Sequence, residues 1–172
     1  TYRCGDGAMA DYFLGNHDRV FKLPDGISYE EGALTEPMAV ALHAVKRSDI
    51  RLGDKVVVIG AGAVGIFVAA VCRYLGAAEV VVSDFSKFRL DMAKQLGATR
   101  TVCAAEGDLE DVINNMSEGK GFDKAFECVG REQTFNQAVR SVRTNGLVTD
   151  IGIFEKRQIV FDASVLVKKE LR

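Results

Sequence analysis

Gly60-Ala61-Gly62-Ala63-Val64-Gly65 has the spacing G-x-G-x-x-G, which suits a loop that holds phosphate. With 17 glycines in 172 residues such a spacing can arise by chance, so its context decides its worth. It directly follows the apolar run Lys55–Ile59 and opens the helical pattern Ala63–Leu75. That strand-to-helix setting is the one in which the loop can cradle a pyrophosphate. The first glycine permits a tight turn, the second lets backbone approach a phosphate, and the third lets helix and strand pack closely. The helix start adds unpaired N–H groups and the positive end of its dipole. Asp84 ends the next strand, 24 residues after Gly60. A carboxylate there accepts hydrogen bonds from the adenosine ribose hydroxyls. A 2′-phosphate would meet it as a like charge, which favours NAD over NADP. Two other readings stay open at this point. Asp84 could only cap the helix entered at Ser86, and Arg89 could line the ribose, reach a 2′-phosphate, or be a solvated helix arginine.

The elements that must hold this loop follow a regular pattern. Apolar strands are predicted at Lys55–Ile59, Glu79–Ser83, Thr99–Cys103, Asp123–Cys128 and Gly146–Ile151. Helices are predicted between them at Ala63–Leu75, Ser86–Leu96, Leu109–Met116 and Glu132–Val142. Strands apolar throughout and alternating with helices imply an α/β fold with a doubly wound parallel sheet covered on both faces. Leu-Gly-Ala at 75–77 and again at 96–98 marks one helix-to-strand joint used twice. Upstream the pattern differs. Ala8–Leu14 and Arg19–Leu23 have strand character, Pro24-Asp25-Gly26 reads as a turn, and Ser28-Tyr29-Glu30-Glu31 as a capping box. A second helix carries Pro37 in its first turn. Six strands are usual for a dinucleotide sheet, and five are secure here, so a fragment of a longer chain is expected.

Composition bounds the partners. The balance of 22 Lys+Arg against 24 Asp+Glu gives a net charge of −2, with no basic excess for nucleic acid or an anionic membrane. The longest apolar runs are about half a membrane span. Cys4, Cys72, Cys103 and Cys128 form no C-x-x-C pair, which favours reduced thiols and a cytoplasmic location over a disulfide framework or a zinc ribbon. His17 and His43 are the only histidines, so the chain can do little metal chemistry by itself.

The segments Lys22-Leu23-Pro24-Asp25-Gly26-Ile27-Ser28, Glu31-Gly32-Ala33-Leu34-Thr35-Glu36-Pro37 and Ala41-Leu42-His43-Ala44-Val45 resemble the zinc-dependent medium-chain dehydrogenases. Within these they are most similar to the sorbitol (polyol) and threonine dehydrogenase branch. The resemblance runs on through Phe126-Glu127-Cys128-Val129-Gly130 to Asp150-Ile151-Gly152-Ile153. It implies that residues 1–35 are the remnant of a GroES-like catalytic domain. Residues 36–172 are then a Rossmann dinucleotide-binding domain that stops before its last strand. It implies that Glu36 is catalytic, as a zinc ligand or reaching zinc and substrate through water. The other zinc ligands would lie upstream of Thr1. It implies cofactor contacts at Gly60, Gly62, Val64, Gly65, Asp84 and Arg89, and at Cys128, Val129, Gly130, Ile151, Gly152 and Ile153, with the nicotinamide near Val64 and Ile153.

The expected function is thus hydride transfer between NAD and a small alcohol or polyol, with zinc in the intact enzyme and a dimer or tetramer as the assembly. This chain is expected to bind NAD without turnover. A zinc-free quinone-reductase-like NADPH enzyme is opposed by Asp84 and Glu36. A non-catalytic nucleotide-binding module is the third reading. An exposed sheet edge near Gly146–Ile153, or a contact that compensates for it, is also expected.

Overall fold

Parallel strands covered on both faces need apolar side chains along their whole length. The computed structural model, which describes residues 8–172, places five such strands in one sheet. One compact unit ends at Thr35 and a second runs Glu36–Arg172. In chain order the elements are α1 (Tyr29–Ala33), α2 (Thr35–Arg47), β1 (Lys55–Ile59), α3 (Ala63–Tyr74), β2 (Glu79–Asp84), α4 (Lys87–Gln95) and β3 (Arg100–Cys103). They continue with α5 (Leu109–Ser117), β4 (Phe122–Glu127), α6 (Glu132–Ser141), β5 (Val142–Asp150) and α7 (Ser164–Lys168). The strands lie in the order β3-β2-β1-β4-β5, every neighbour parallel. The doubly wound parallel sheet read from the sequence is therefore present. Its order reverses between β1 and β4, and the carboxyl ends of strands at such a switch point are where ligands bind.

Alternation along each strand divides the core. On one face Val56, Val58, Val80, Val82 and Phe126 pack with Ala41 and Val45 of α2 and with Val68 and Cys72 of α3. On the other, Val57, Ile59, Val81 and Ala125 pack with Leu109 and Ile113 of α5 and Ala138 of α6. The repeated Leu-Gly-Ala joint does the same work twice. Gly76 and Gly97 both have positive φ, and the following alanine amides donate to Cys72 and Ala93 respectively, each closing a helix.

The first unit departs from the expectation. Among the described residues Ala8–Leu14 and Arg19–Leu23 form no strand, and a 3-10 turn occupies His17–Arg19. β propensity measures fit to a pleated, half-buried surface rather than an intrinsic preference. With no sheet partner bonded to this segment, Met9, Tyr12, Leu14 and Phe21 stay exposed. The reading of the first seven residues, Cys4 included, lies outside the described residues. The capping box forms in full, with Ser28 Oγ accepting from the Glu31 amide at 3.1 Å and Glu31 Oε2 accepting from the Ser28 amide at 2.8 Å.

Two differences fall near the C-terminus. β5 begins at Val142 rather than Gly146, through an irregularity in register opposite Phe122–Lys124. Helix α7 was not foreseen. Beyond it Arg172 donates to the Gly146 carbonyl at 3.1 Å and accepts from the Val148 amide at 3.0 Å, a parallel bridge that covers part of the β5 edge.

Candidate functional site

The carboxyl ends of β1, β2 and β4 open onto a cleft of about 890 Å³. Gly60, Gly62, Asp84, Arg89, Cys128 and Val129 are among its lining residues. Each glycine of the loop has its own geometric reason. Gly60 has φ +100°, and its amide donates to the Ser83 carbonyl at 2.8 Å, tying the loop to β2. A Cβ on Gly65 would collide with the Gly60 carbonyl oxygen, so helix α3 can start this close to β1 only without a side chain there. Gly62 is different. It is the N-cap of α3, and a Cβ there would meet no heavy atom within 4 Å. The space above Gly62 is an open cradle at a helix N-terminus, where an anion is favoured.

Asp84 closes the second side of the loop. Its Oδ2 accepts from the Ala61 amide and its Oδ1 from the Ser86 amide, both at 2.8 Å. Ser86 Oγ in turn accepts from the Arg89 amide at 3.4 Å and caps α4. The capping reading of Asp84 holds in part, since its carboxylate supports the entry to α4, and it also fixes the glycine loop. The Ala61 bond was not read from the sequence, because spacing alone does not show which backbone amide a carboxylate meets. The exposed Arg89 lines the cleft, as do Glu106, Asp108 and Arg131.

The β4 and β5 ends contribute backbone. The Cys128 amide donates to the Ile59 carbonyl at 2.9 Å, and the amides of Ile151 and Gly152 donate to the Glu127 carbonyl at 2.8 and 3.1 Å. A Cβ on Gly130 would collide with the backbone of Ile153, so the two loops touch at Gly130. Burial, followed by the charge of Glu127, pushes the Cys128 thiol up, which removes it as a thiolate nucleophile. Val64 is half-buried against the core, and Ile153 is 91% exposed. Neither of these, nor Gly130, Ile151 or Gly152, is among the residues lining the cleft.

Glu36 lies exposed in the first turn of α2. Among the described residues no group of three or more His, Cys, Asp or Glu side chains converges on a point that could hold a metal ion. Zinc therefore does not fit a site made by these residues alone. The loop, the open cradle at Gly62 and Asp84 do fit a dinucleotide.

A doubly wound sheet with a glycine-rich strand-to-helix loop at its switch point is the architecture of a nucleotide-binding domain of the dehydrogenase type. The sequence profile of the zinc-binding dehydrogenases matches residues 63–172, and the chain belongs to that family. It is 38% identical over 172 residues to D-xylulose reductase of Saccharomyces cerevisiae, covering 96% of this chain and 48% of that protein. Among solved structures, 2R,3R-butanediol dehydrogenase of Bacillus subtilis is 37% identical with a TM-score of 0.78, over 88% of this chain and 43% of that one. A structure from Sinorhizobium meliloti 1021 bound to NADP is 28% identical with a TM-score of 0.79, over 88% and 45%. The chain spans about half the length of the curated relatives it matches. No helix among the described residues is long and apolar enough to cross a membrane.

Proposed function

We propose that this chain is the NAD-binding part of a zinc-dependent dehydrogenase acting on a small alcohol or polyol. The observation that carries the reading is the arrangement of Asp84 and Gly62. One holds a carboxylate at the rim of the cleft, and the other leaves an open cradle at the start of α3. In this reading the α3 N-terminus binds the pyrophosphate, and Asp84 accepts from the adenosine ribose hydroxyls while keeping the loop in place. Arg89 flanks the ribose. Cys128, Val129 and Gly130, with Ile151, Gly152 and Ile153, supply the surface over which the rest of the dinucleotide extends toward Val64. Bound NAD would supply the hydride-accepting ring. Glu36 supports zinc or substrate together with ligands upstream of Thr1. Residues 1–35 belong to the substrate-side domain. The whole protein is a cytoplasmic dimer or tetramer, and this chain alone binds NAD without turning over an alcohol.

NADP is the second reading. It is favoured by Arg89 and Arg131 in the cleft wall and by the NADP-bound relative. Asp84, Glu106 and Asp108 in the same wall oppose it, because a 2′-phosphate adds negative charge beside carboxylates. Calorimetric titration separates the two. Heat from NAD and little from NADP is the expected result, lost in Asp84→Ala. Binding of NADP in preference to NAD would overturn the assignment of Asp84. Zinc-dependent alcohol oxidation by this chain alone would overturn the division of roles.

A further inference from the structure

At the end of β4 a carboxyl group is buried that the proposed chemistry does not use. Glu127 has 0% exposure. Its Oε1 accepts from the amides of Val129 and Gly130 at 3.0 Å each, and its Oε2 from Gly130 at 2.9 Å. Its backbone carbonyl accepts from Ile151 and Gly152. One residue thus joins the loop after β4 to the loop after β5. The joint is tight, because a Cβ on Gly152 would collide with Oε2 of Glu127 and with the Gly130 amide.

Parallel register sets Asp150 directly beside Glu127, so both side chains leave the same face of the sheet. Asp150 is exposed at the strand end, with the buried Glu127 as its cross-strand neighbour. Burial first, and then the neighbouring Glu127, push Asp150 up to about 6. Other charged groups on the packed elements are placed elsewhere. Lys55 of β1 donates to the Met116 carbonyl. On α6, Glu132 accepts from the Val160 amide and Arg140 pairs with Glu110. Arg131 begins α6 and lines the cleft. Lys124 of β4 is buried three residues before Glu127. On α3, Arg73 donates to the Ala77 carbonyl and the Cys72 thiol is buried, and the Cys128 thiol is pushed up. Glu155 and Lys156 follow on the β5 loop and are exposed. Of all these groups, Glu127 is the one that acts on Asp150.

We propose that Glu127 and Asp150 share one proton, and that this proton latches residues 128–130 to residues 151–153, making Asp150 a positioning residue for the bound dinucleotide. The proposal rests on the NAD reading above. With the proton in place, the Asp150 O–H donates to the Glu127 carboxylate, whose remaining lone pairs hold the Val129 and Gly130 amides. Once it is lost, two like charges stand side by side, one of them fully buried, and the pair and its loops separate. Dinucleotide binding should therefore be tighter on the acid side of the transition.

Two measurements on the full 172-residue chain test this. In amide NMR spectra recorded without cofactor from pH 5 to 8, the Val129 and Gly130 resonances should titrate together with a midpoint near 6. Asp150→Asn, which donates the same hydrogen bond at every pH, should abolish that midpoint. NADH affinity, read by fluorescence, should weaken roughly tenfold between pH 5.5 and 7.5. In Asp150→Asn it should stay at its low-pH value. Val129 and Gly130 resonances without a midpoint in this range would overturn the latch, as would an unchanged pH dependence in Asp150→Asn. NADH bound equally well at both pH values would overturn the positioning role alone. No NADH binding at any pH would overturn the dinucleotide reading and the positioning role with it.

Discussion

Gly62 and Gly65 belong to one motif, yet the structure assigns them opposite sensitivities. At Gly65 an added methyl group meets the Gly60 carbonyl oxygen, and backbone cannot swing aside as a flexible side chain can. Overpacking of a tight site costs about 1–3 kcal/mol, and rigid backbone places Gly65→Ala near the upper end. For a domain of this size about 3 kcal/mol lowers Tm by roughly 6–12 °C. At Gly62 the backbone is extended, with φ −68° and ψ 179°, and no atom lies within 4 Å of the new methyl. Alanine is a poorer N-cap than glycine by a few tenths to about 1 kcal/mol. Lower unfolded-state entropy offsets about 0.4–1 kcal/mol of that. Gly62→Ala should therefore leave Tm within about 2 °C of the parent. The same methyl occupies the cradle in which a phosphate would sit, so NAD affinity should fall at least tenfold, about 1.4 kcal/mol. Thermal unfolding by circular dichroism and calorimetric titration with NAD read the two effects separately. A Gly62→Ala variant that binds NAD like the parent would refute the cradle. A Gly65→Ala variant as stable as the parent would refute the packing argument.

Three further outcomes follow from particular contacts. Burial opposes the ionised Asp123, but the Lys55 amide and the Arg143 guanidinium outweigh it and hold its carboxyl below the ordinary 3.8. Its contribution is complete above that ordinary value and is lost as pH falls through the folded one. Asp123→Asn should cost about 1 kcal/mol at pH 7 after solvent screening and flatten the acid limb of a stability–pH curve. An unchanged acid limb would contradict this. The Lys169 ammonium donates to the carbonyls of Val139, Arg140 and Val142 at 3.4, 2.9 and 2.7 Å. Lys169→Met should remove about 2 kcal/mol, visible in urea unfolding as a lower midpoint at constant slope. Burial pushes the Cys72 thiol up to about 12 and raises Cys128 as well. Alkylation at pH 8 followed by mass spectrometry should find the buried Cys72 unmodified until the chain unfolds and the half-buried Cys128 of the cleft wall modified only slowly, and rapid labelling of Cys128 would refute its raised pKa.

Legibility in the sequence followed the physics of each segment. Val56-Val57-Val58 and Val80-Val81-Val82 are buried on both faces, and only a covered parallel sheet accommodates two such runs between helices. Their identity was therefore readable without neighbours. Boundaries needed more. The start of β5 at Val142 depends on an irregular register with β4, a fact about two strands at once. Residues 8–24 have strand composition, but composition does not supply a sheet, and the described residues there belong to no strand. The site was legible to the same degree. Gly60, Gly62, Gly65 and Asp84 could be placed because one local unit, strand, turn and helix, sets all four. Ile153 could not be placed this way, because the loop after β5 is positioned by β4 rather than by its own residues, and Val64, though in the same unit as the glycines, packs against the core instead of lining the cleft.

Glu127 shows where a signal existed and was not used. A glutamate inside Ala125-Phe126-Glu127-Cys128-Val129 is anomalous for a central parallel strand, since an ionisable side chain there must find partners or stay neutral. Its partners are backbone amides of the very next residues, Val129 and Gly130, so the anomaly was local and could have been resolved locally. What the local sequence could not provide is Asp150, which is 23 residues on and meets Glu127 only through strand pairing. The pair matters because it stands where β4 and β5 deliver their loops. Any force between its two carboxyls acts on Gly130 and Gly152 together, and these two glycines have no room to yield.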